Sequence, residues 1–271
     1  MREFDFYIVP TPIGNLGDMS NRAIEVLKSV DIIACEDSRN TQKLLNHFSI
    51  GTKCISYHKF NERERVSKFI ELINEGKKIA LVSDAGTPLF CDPGAVLVRE
   101  LKKNGKTITA LAGANAVVTF ISQIPRECED FIFVGFLPRI KTQIIELVAK
   151  YSDTDIVFYE SPKRLIETLK IIEQEFPEKQ VSVGRELTKV FEEVITDTAK
   201  NLSVYFSKEE VKGEIVVMIH RSNSKIGVDM YADKIKLLKS KNFSDKDISI
   251  ILSELYDVSK NEVYSYLVNS K

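Results

Sequence analysis

The chain has 271 residues, with 38 Lys and Arg against 39 Asp and Glu and three His, for a formal charge of −1. A 44% hydrophobic and 28% charged composition excludes a disordered chain, and the balanced charge excludes a protein that grips nucleic acid by bulk positive charge while leaving room for local basic patches. No apolar run approaches the roughly 18 residues of a membrane-spanning helix. The opening MREFDFYIVPTPIG is interrupted by Asp5 and runs into Pro10 and Pro12, which does not read as a signal peptide, so a cytoplasmic protein is expected.

Along the first half, short β-branched runs alternate with amphipathic stretches. FYIVP (6–10), DIIAC (31–35), KCISYH (53–58), KKIALVS (77–83) and KTITAL (106–111) read as strands. RAIEVLKSV, TQKLLNHF, ERERVSKFIELINEG and AVLVRELKKNG between them carry apolar residues at helical spacing. Gly76 and Gly105 fall where helix C-caps belong. Such alternation predicts an α/β sheet covered by helices.

A second block follows the IPRECED run (124–130). Its strands are expected at 131–136, 155–160, 180–187, 191–198 and 213–220, and its helices at 141–150, 163–175 and 198–206. Strand pairs without an intervening helix make this block partly antiparallel. The expected architecture is therefore two α/β lobes, residues 1–120 and 121–222, joined near 118–128. A helical extension spans 223–271, with RSNSKIG as linker. Ser244 with Asp247, and Ser259 with Glu262, have the spacing of capping boxes ahead of apolar helices. Residues 244–268 of the extension resemble a helix-turn-helix in spacing, and 221–271 carry nine Lys and Arg against seven Asp and Glu. Packing as a helical cap and contact with RNA are both open to it.

Cys35, Cys54, Cys91 and Cys128 form no CxxC pair, and His47, His58 and His220 no HxxxH or HExxH spacing. Reduced, packed thiols and no metal site are expected. Two Gly- and Pro-rich loops carry more information. PTPIGNLGDMS (10–20) leaves the first strand and SDAGTPLFCDPG (83–94) leaves the fourth. Loops at the carboxyl ends of strands border the ligand crevice of an α/β sheet, and glycine lets backbone approach a ligand closely. Asp84 and Asp92 add acceptors for an amine or for ribose hydroxyls. Neither loop is a G-x-G-x-x-G or a Walker A. Polar clusters also close other strands: EDSRNT (36–41), SYHKFNERE (56–64), YESPKR (159–164) and GRELTKVFEE (184–193).

In order, VPTPIGNLGD, EDSRNTQKLLNHF, SYHKFNE, LVSDAGTPLFCDPG, FVGFLPR, YESPKRL, GRELTKVFEE and KGEIVVMI resemble the small-subunit ribosomal RNA (cytidine-2′-O)-methyltransferases of the tetrapyrrole methylase superfamily, over about residues 5 to 220. The resemblance implies two lobes with S-adenosylmethionine in the cleft between them, a homodimer, and methylation of a ribose 2′-hydroxyl at cytidine 1402 (usual numbering) in the decoding region of 16S rRNA. By the same analogy the cofactor lies on Ser83, Asp84, Ala85, Gly86, Thr87 and Asp92, with Pro12 and Gly14 lining the cleft. Gly113, Ala114, Phe158, Ser161, Leu187 and Gly213 complete the pocket. The chain departs from the family pattern at 112–116, where Ala-Gly-Ala-Asn-Ala replaces Pro-Gly-Pro-Ser-Ala. Asn40 and Phe60 also stand where histidines are expected.

Displacement at a sulfonium is accelerated by alignment, and a ribose hydroxyl gains from a positioned base. The candidate bases are Glu36, Asp37, His58 and Glu160, with His58 and Glu160 preferred at their strand ends. Arg39, Arg164, Arg185 and Lys189 are available for RNA phosphates. Two alternatives remain at this level: methylation of a tetrapyrrole precursor, and a non-catalytic RNA-binding assembly factor.

Overall fold

A computed structural model describes residues 3–126, 130–221, 231–256 and 258–269. Cys128 and all but Arg221 of the expected linker lie outside the described residues, as do the side chains of Arg63 and Glu262. Residues 1–220 form one compact unit and 221–271 a second.

The first unit contains two five-stranded sheets. In the first, β1 (Phe6–Ile8), β2 (Ile32–Cys35), β3 (Lys53–Ser56), β4 (Ile79–Val82) and β5 (Ile108–Ala110) are ordered β3-β2-β4-β1-β5, all parallel. The β2 and β4 strands are buried along their whole length, as a parallel sheet covered on both faces requires. Alternation sorts their side chains. Tyr7, Ile33, Cys35, Ala80 and Val82 pack with α1 (Asn21–Ser29) and α2 (Ser38–His47). Phe6, Ile8, Ile32, Ala34, Ile79 and Leu81 pack with α3 (Glu62–Asn74) and α4 (Ala95–Lys103) on the opposite face.

The second sheet, ordered β6-β7-β10-β8-β9, consists of β6 (Phe131–Phe136), β7 (Asp155–Glu160), β8 (Gln180–Arg185), β9 (Glu193–Thr198) and β10 (Ile215–Ile219). Only β6 and β7 are parallel; the other pairings are antiparallel, as the helix-free connection from 180 to 198 predicts. One face packs on α6 (Lys141–Lys150), α7 (Pro162–Glu175) and α8 (Ala199–Phe206). The other, with Val157, Val216 and Met218, packs on α5 (Ala116–Ile121) and on Ile13, which belongs to the proline loop after β1. That shared cluster joins the two sheets.

In the second unit, α9 (Ala232–Ser240), α10 (Asp245–Leu255) and α11 (Lys260–Asn269) surround their own core of Tyr231, Ile235, Ile248, Leu252, Val263 and Leu267. The capping box at Ser244 and Asp247 is formed in both directions. The one expected at Ser259 involves Glu262 and so falls outside the described side chains.

Candidate active site

The strand order fixes where a ligand fits. β4 lies between β2 and β1, and the helices after β1 and β2 cover one face of the sheet while the helix after β4 covers the other. The chain thus diverges at the carboxyl ends of these three strands, the switch point where α/β sheets open a crevice. The loops at 9–20, 36–37 and 83–94 meet there.

The 83–94 loop is held in an unusual shape. Gly86, Leu89, Cys91 and Gly94 all have positive φ, at 77°, 69°, 74° and 135°; two of them carry side chains, and such backbone is concentrated at functional sites. Two reciprocal bonds tie the loop to the proline loop: Thr11 N–H donates to Gly86 O and Gly86 N–H to Thr11 O, each 2.9 Å. The Thr11 hydroxyl donates to Ser83 O at 3.1 Å. The Thr87 hydroxyl donates to Ala114 O at 3.0 Å, which draws in the 112–116 turn. There a Cβ on Gly113 would lie 2.6 Å from Pro10 Cβ. Asn115 caps α5 by accepting from Val117 N–H (3.0 Å) and Val118 N–H (3.2 Å). The turn without its prolines is thus held by Pro10, Thr87 and Asn115.

Between the two sheets lies a cavity of about 410 Å³, within the usual span for a small-molecule or cofactor site. Of the residues assigned to the cofactor, Asp84, Ala85, Gly86, Thr87, Asp92, Ser161, Leu187 and Gly213 line it. Its wall also includes Ile13, Phe90, Phe136 and Tyr159; Ile13 and Phe90 were not anticipated, because an isolated apolar residue in a loop has no sequence signature separating it from core. Phe90 stacks on Phe133 across the lobes, centroids 4.6 Å apart. The remaining assigned residues are placed otherwise. Pro12, Gly14 and Ser83 line a separate, smaller cavity, into which Asp84 also faces. Gly113 and Ala114 act behind the wall through Pro10 and Thr87. Phe158 turns to the opposite face, fully buried with Leu165 and Leu169, because its neighbours Val157 and Tyr159 take the cleft side.

Carboxylates concentrate at one end. Asp37 N–H donates to Asp84 Oδ1 at 3.2 Å. Burial, then repulsion by Glu36 and Asp84, pushes Asp92 up to about 6, against a hydrogen bond from Ser83. Glu36 is raised by burial and by Asp84, with His58 opposing. Tyr159 is raised, chiefly by burial.

The two bases preferred from sequence are placed differently from that expectation. Glu160 borders the cavity but is 3% exposed. Its Oε1 accepts from Ser161 N–H and its Oε2 from the Thr168 hydroxyl, both at 2.7 Å, and Arg164 lies 3.6 Å away. With both oxygens engaged, it fastens the start of α7. His58 lies outside the cavity, beside Asn61 (Nε2 to Nδ2, 3.3 Å) and in the field of Glu36. Three of the four cations assigned to RNA have internal partners. Arg164 donates to Leu137 O and Pro138 O, Arg185 pairs with Glu193 at 3.0 Å, and Lys189 pairs with Glu186 and Glu214 at 2.8 and 3.0 Å. The Arg39 side chain is 87% exposed and pairs with Asp37, two residues before it. Lys43, one helical turn further on, was missed although its i+4 spacing from Arg39 places both on one face of α2.

The sequence pattern of the Tetrapyrrole (Corrin/Porphyrin) Methylases matches residues 5–203. "Ribosomal RNA small subunit methyltransferase I" of Vibrio cholerae is 38% identical over 269 residues, 96% of this chain and 93% of that one. The chain belongs to this methyltransferase family. The Bacillus subtilis protein of the same name is 42% identical over 221 residues, 80% of this chain and 75% of its own. Among solved structures, diphthine synthase superposes with a TM-score of 0.64 at 15% identity, over 79% of this chain and 89% of that one. A cobalt precorrin-4 methyltransferase superposes at 0.58 and 17%, over 79% and 93%. At those identities the likeness is one of fold. The methyltransferase thus has the two-lobed α/β fold of the tetrapyrrole methylases, with a cavity at the switch point of the parallel sheet.

Proposed function

We propose that this methyltransferase uses S-adenosylmethionine to methylate the ribose 2′-hydroxyl of cytidine 1402 in 16S rRNA, acting in the cytoplasm on the small ribosomal subunit. The observation that carries this reading is the near full-length similarity to proteins named for small-subunit ribosomal RNA methylation, which extends through the C-terminal helices. The structures of corrin and porphyrin enzymes match only the fold.

The cavity fits the cofactor. Its walls of Ile13, Phe90, Leu187 and Val216 suit an apolar adenosyl face, and Asp84 and Asp92 suit a ligand bearing positive charge. Gly86 and Gly213, at φ of 77° and 94°, bring bare backbone to the wall; a Cβ on Gly213 would run into the Glu186 carboxylate at 2.4 Å. When bound, the cofactor supplies an electrophilic methyl group on a sulfonium. The chain's task is to orient the acceptor and to receive its hydroxyl proton on a carboxylate. Asp92 has the placement for this, half-buried on the cavity wall and titrating near neutrality, where a general base works best. Burial, and after it the charge of Glu36, maintains that state.

The same reading carries a homodimer, for which the uncovered Phe136, Val190 and Phe191 provide apolar surface. The test is methyl transfer from labelled S-adenosylmethionine to small subunits from a strain lacking the gene, with the nucleotide mapped by mass spectrometry. A 2′-O-methylcytidine in the decoding region is the expected product. Tight cofactor binding without transfer to subunits would overturn the assignment in favour of another acceptor.

A further inference from the structure

A second cavity at the switch point, about 270 Å³, lies between the proline loop and α2. Asp84 lines both cavities. Lys43 lines this one and also an open groove along the outer face of α2, where Arg39 and Lys53 lie. Cofactor cavity, small cavity and basic groove therefore follow one another in series, with Asp84 at the first junction and Lys43 at the second. Charge is sorted along the same line, from Asp92 and Asp84 inside to Arg39, Lys43 and Lys53 outside, with Asp37 paired to Arg39.

We propose that the small cavity receives the acceptor nucleotide of a single-stranded RNA segment, and that the basic groove of α2 holds the phosphates flanking it. This rests on the ribosomal RNA reading above and places the acceptor on the chain. Pro12, Leu16 and Leu44 offer apolar surface to a base or sugar, and Asn40 and His47 at the rim offer hydrogen-bonding groups. An amide carries both a donor and an acceptor, the complement of a base edge. A nucleotide reaches such a recess only when out of a duplex stack, the form in which RNA is read by side chains. Phosphates are drawn to Arg39, Lys43 and Lys53 and repelled by the inner carboxylates, so a strand seats with its backbone outward and its sugar toward Asp84, the junction with the cavity whose wall carries Asp92.

The test uses two substitutions at exposed positions of α2, Asn40→Trp to obstruct the mouth and Lys43→Glu to reverse the charge at the junction. S-adenosylmethionine binding is followed by calorimetry and methyl transfer by steady-state kinetics on small subunits. Both variants are expected to bind the cofactor within twofold of wild type and to lose at least tenfold in kcat/KM, with the residual product at the same nucleotide. Lys43→Glu is also expected to flatten the salt dependence of RNA binding. Wild-type kinetics in both variants would overturn the placement while leaving the ribosomal reading intact. Loss of cofactor binding in Asn40→Trp would overturn it by assigning the cavity to the cofactor. A wild-type enzyme inactive on subunits would overturn the ribosomal reading itself, and this inference with it.

Discussion

Asp92 and Glu36 are coupled: burial first, and then the Glu36 charge, raises the Asp92 carboxyl to about 6. As a base, Asp92 works only when ionised, so methyl transfer should climb with pH through about 6 and level off above it. Asp92→Asn should abolish that limb and lower kcat by roughly 10²–10⁴-fold. An unchanged pH profile in Asp92→Asn would remove it from proton transfer.

The same group has a stability signature of opposite sense. A carboxyl whose folded pKa lies above its unfolded value stabilises the fold when protonated, and that contribution is lost as pH rises through the folded pKa. Asp92→Asn should therefore be more stable than wild type at pH 8, by of order 1 kcal/mol after discounting for solvent, and lose this advantage near pH 4. Thermal melts at the two pH values measure the difference.

Glu160 should behave as a fastening. Glu160→Gln leaves a group of similar shape but alters the bonds to Ser161, Thr168 and Arg164, and should cost about 1–3 kcal/mol of stability. Its pH–rate profile should keep the wild-type midpoint. A displaced midpoint in a fully folded variant would return Glu160 to the proton path.

Gly113→Ala introduces a methyl group 2.6 Å from Pro10 Cβ. Relief requires the proline loop to move, at about 1–3 kcal/mol, and the shift passes through Thr11 to Gly86. Lower melting temperature together with weaker cofactor affinity is expected; a variant with wild-type affinity would show that the two loops are not coupled.

Exposed and internally paired cations should separate in their response to salt. Arg39→Ala should reduce the slope of log affinity for RNA against log salt by about 1, while Arg185→Ala, which breaks a pair with Glu193, should leave the slope unchanged and act on stability. Equal slopes for the two variants would contradict this division.

The strands and most helices were legible because burial leaves a period. Ile32–Cys35 and Ile79–Val82 are continuous apolar runs, as a doubly covered sheet demands, and 141–150 shows a helical stripe that the structure reproduces at both ends. The crevice was legible too, since long Gly- and Pro-rich loops after strands have few other uses. Individual roles were not. Glu160 and Arg164 read as available charges, yet their partners Thr168 and Pro138 are set by tertiary packing. Phe158 and Tyr159 differ by one position in a strand, and only the pairing partners decide which of them faces the cleft. Lys43 lay within a motif already noticed, but its significance depends on a groove closed by Lys53 from another strand.

The two-way bond between Thr11 and Gly86 bears on how such an enzyme keeps its timing. Because the proline loop and the 83–94 loop are laced together by backbone, and Asp84 belongs to both cavities, the separation of the two cavities is a property of one short stretch of main chain. Selection can then reshape the outer groove for different strands without recalibrating the reaction.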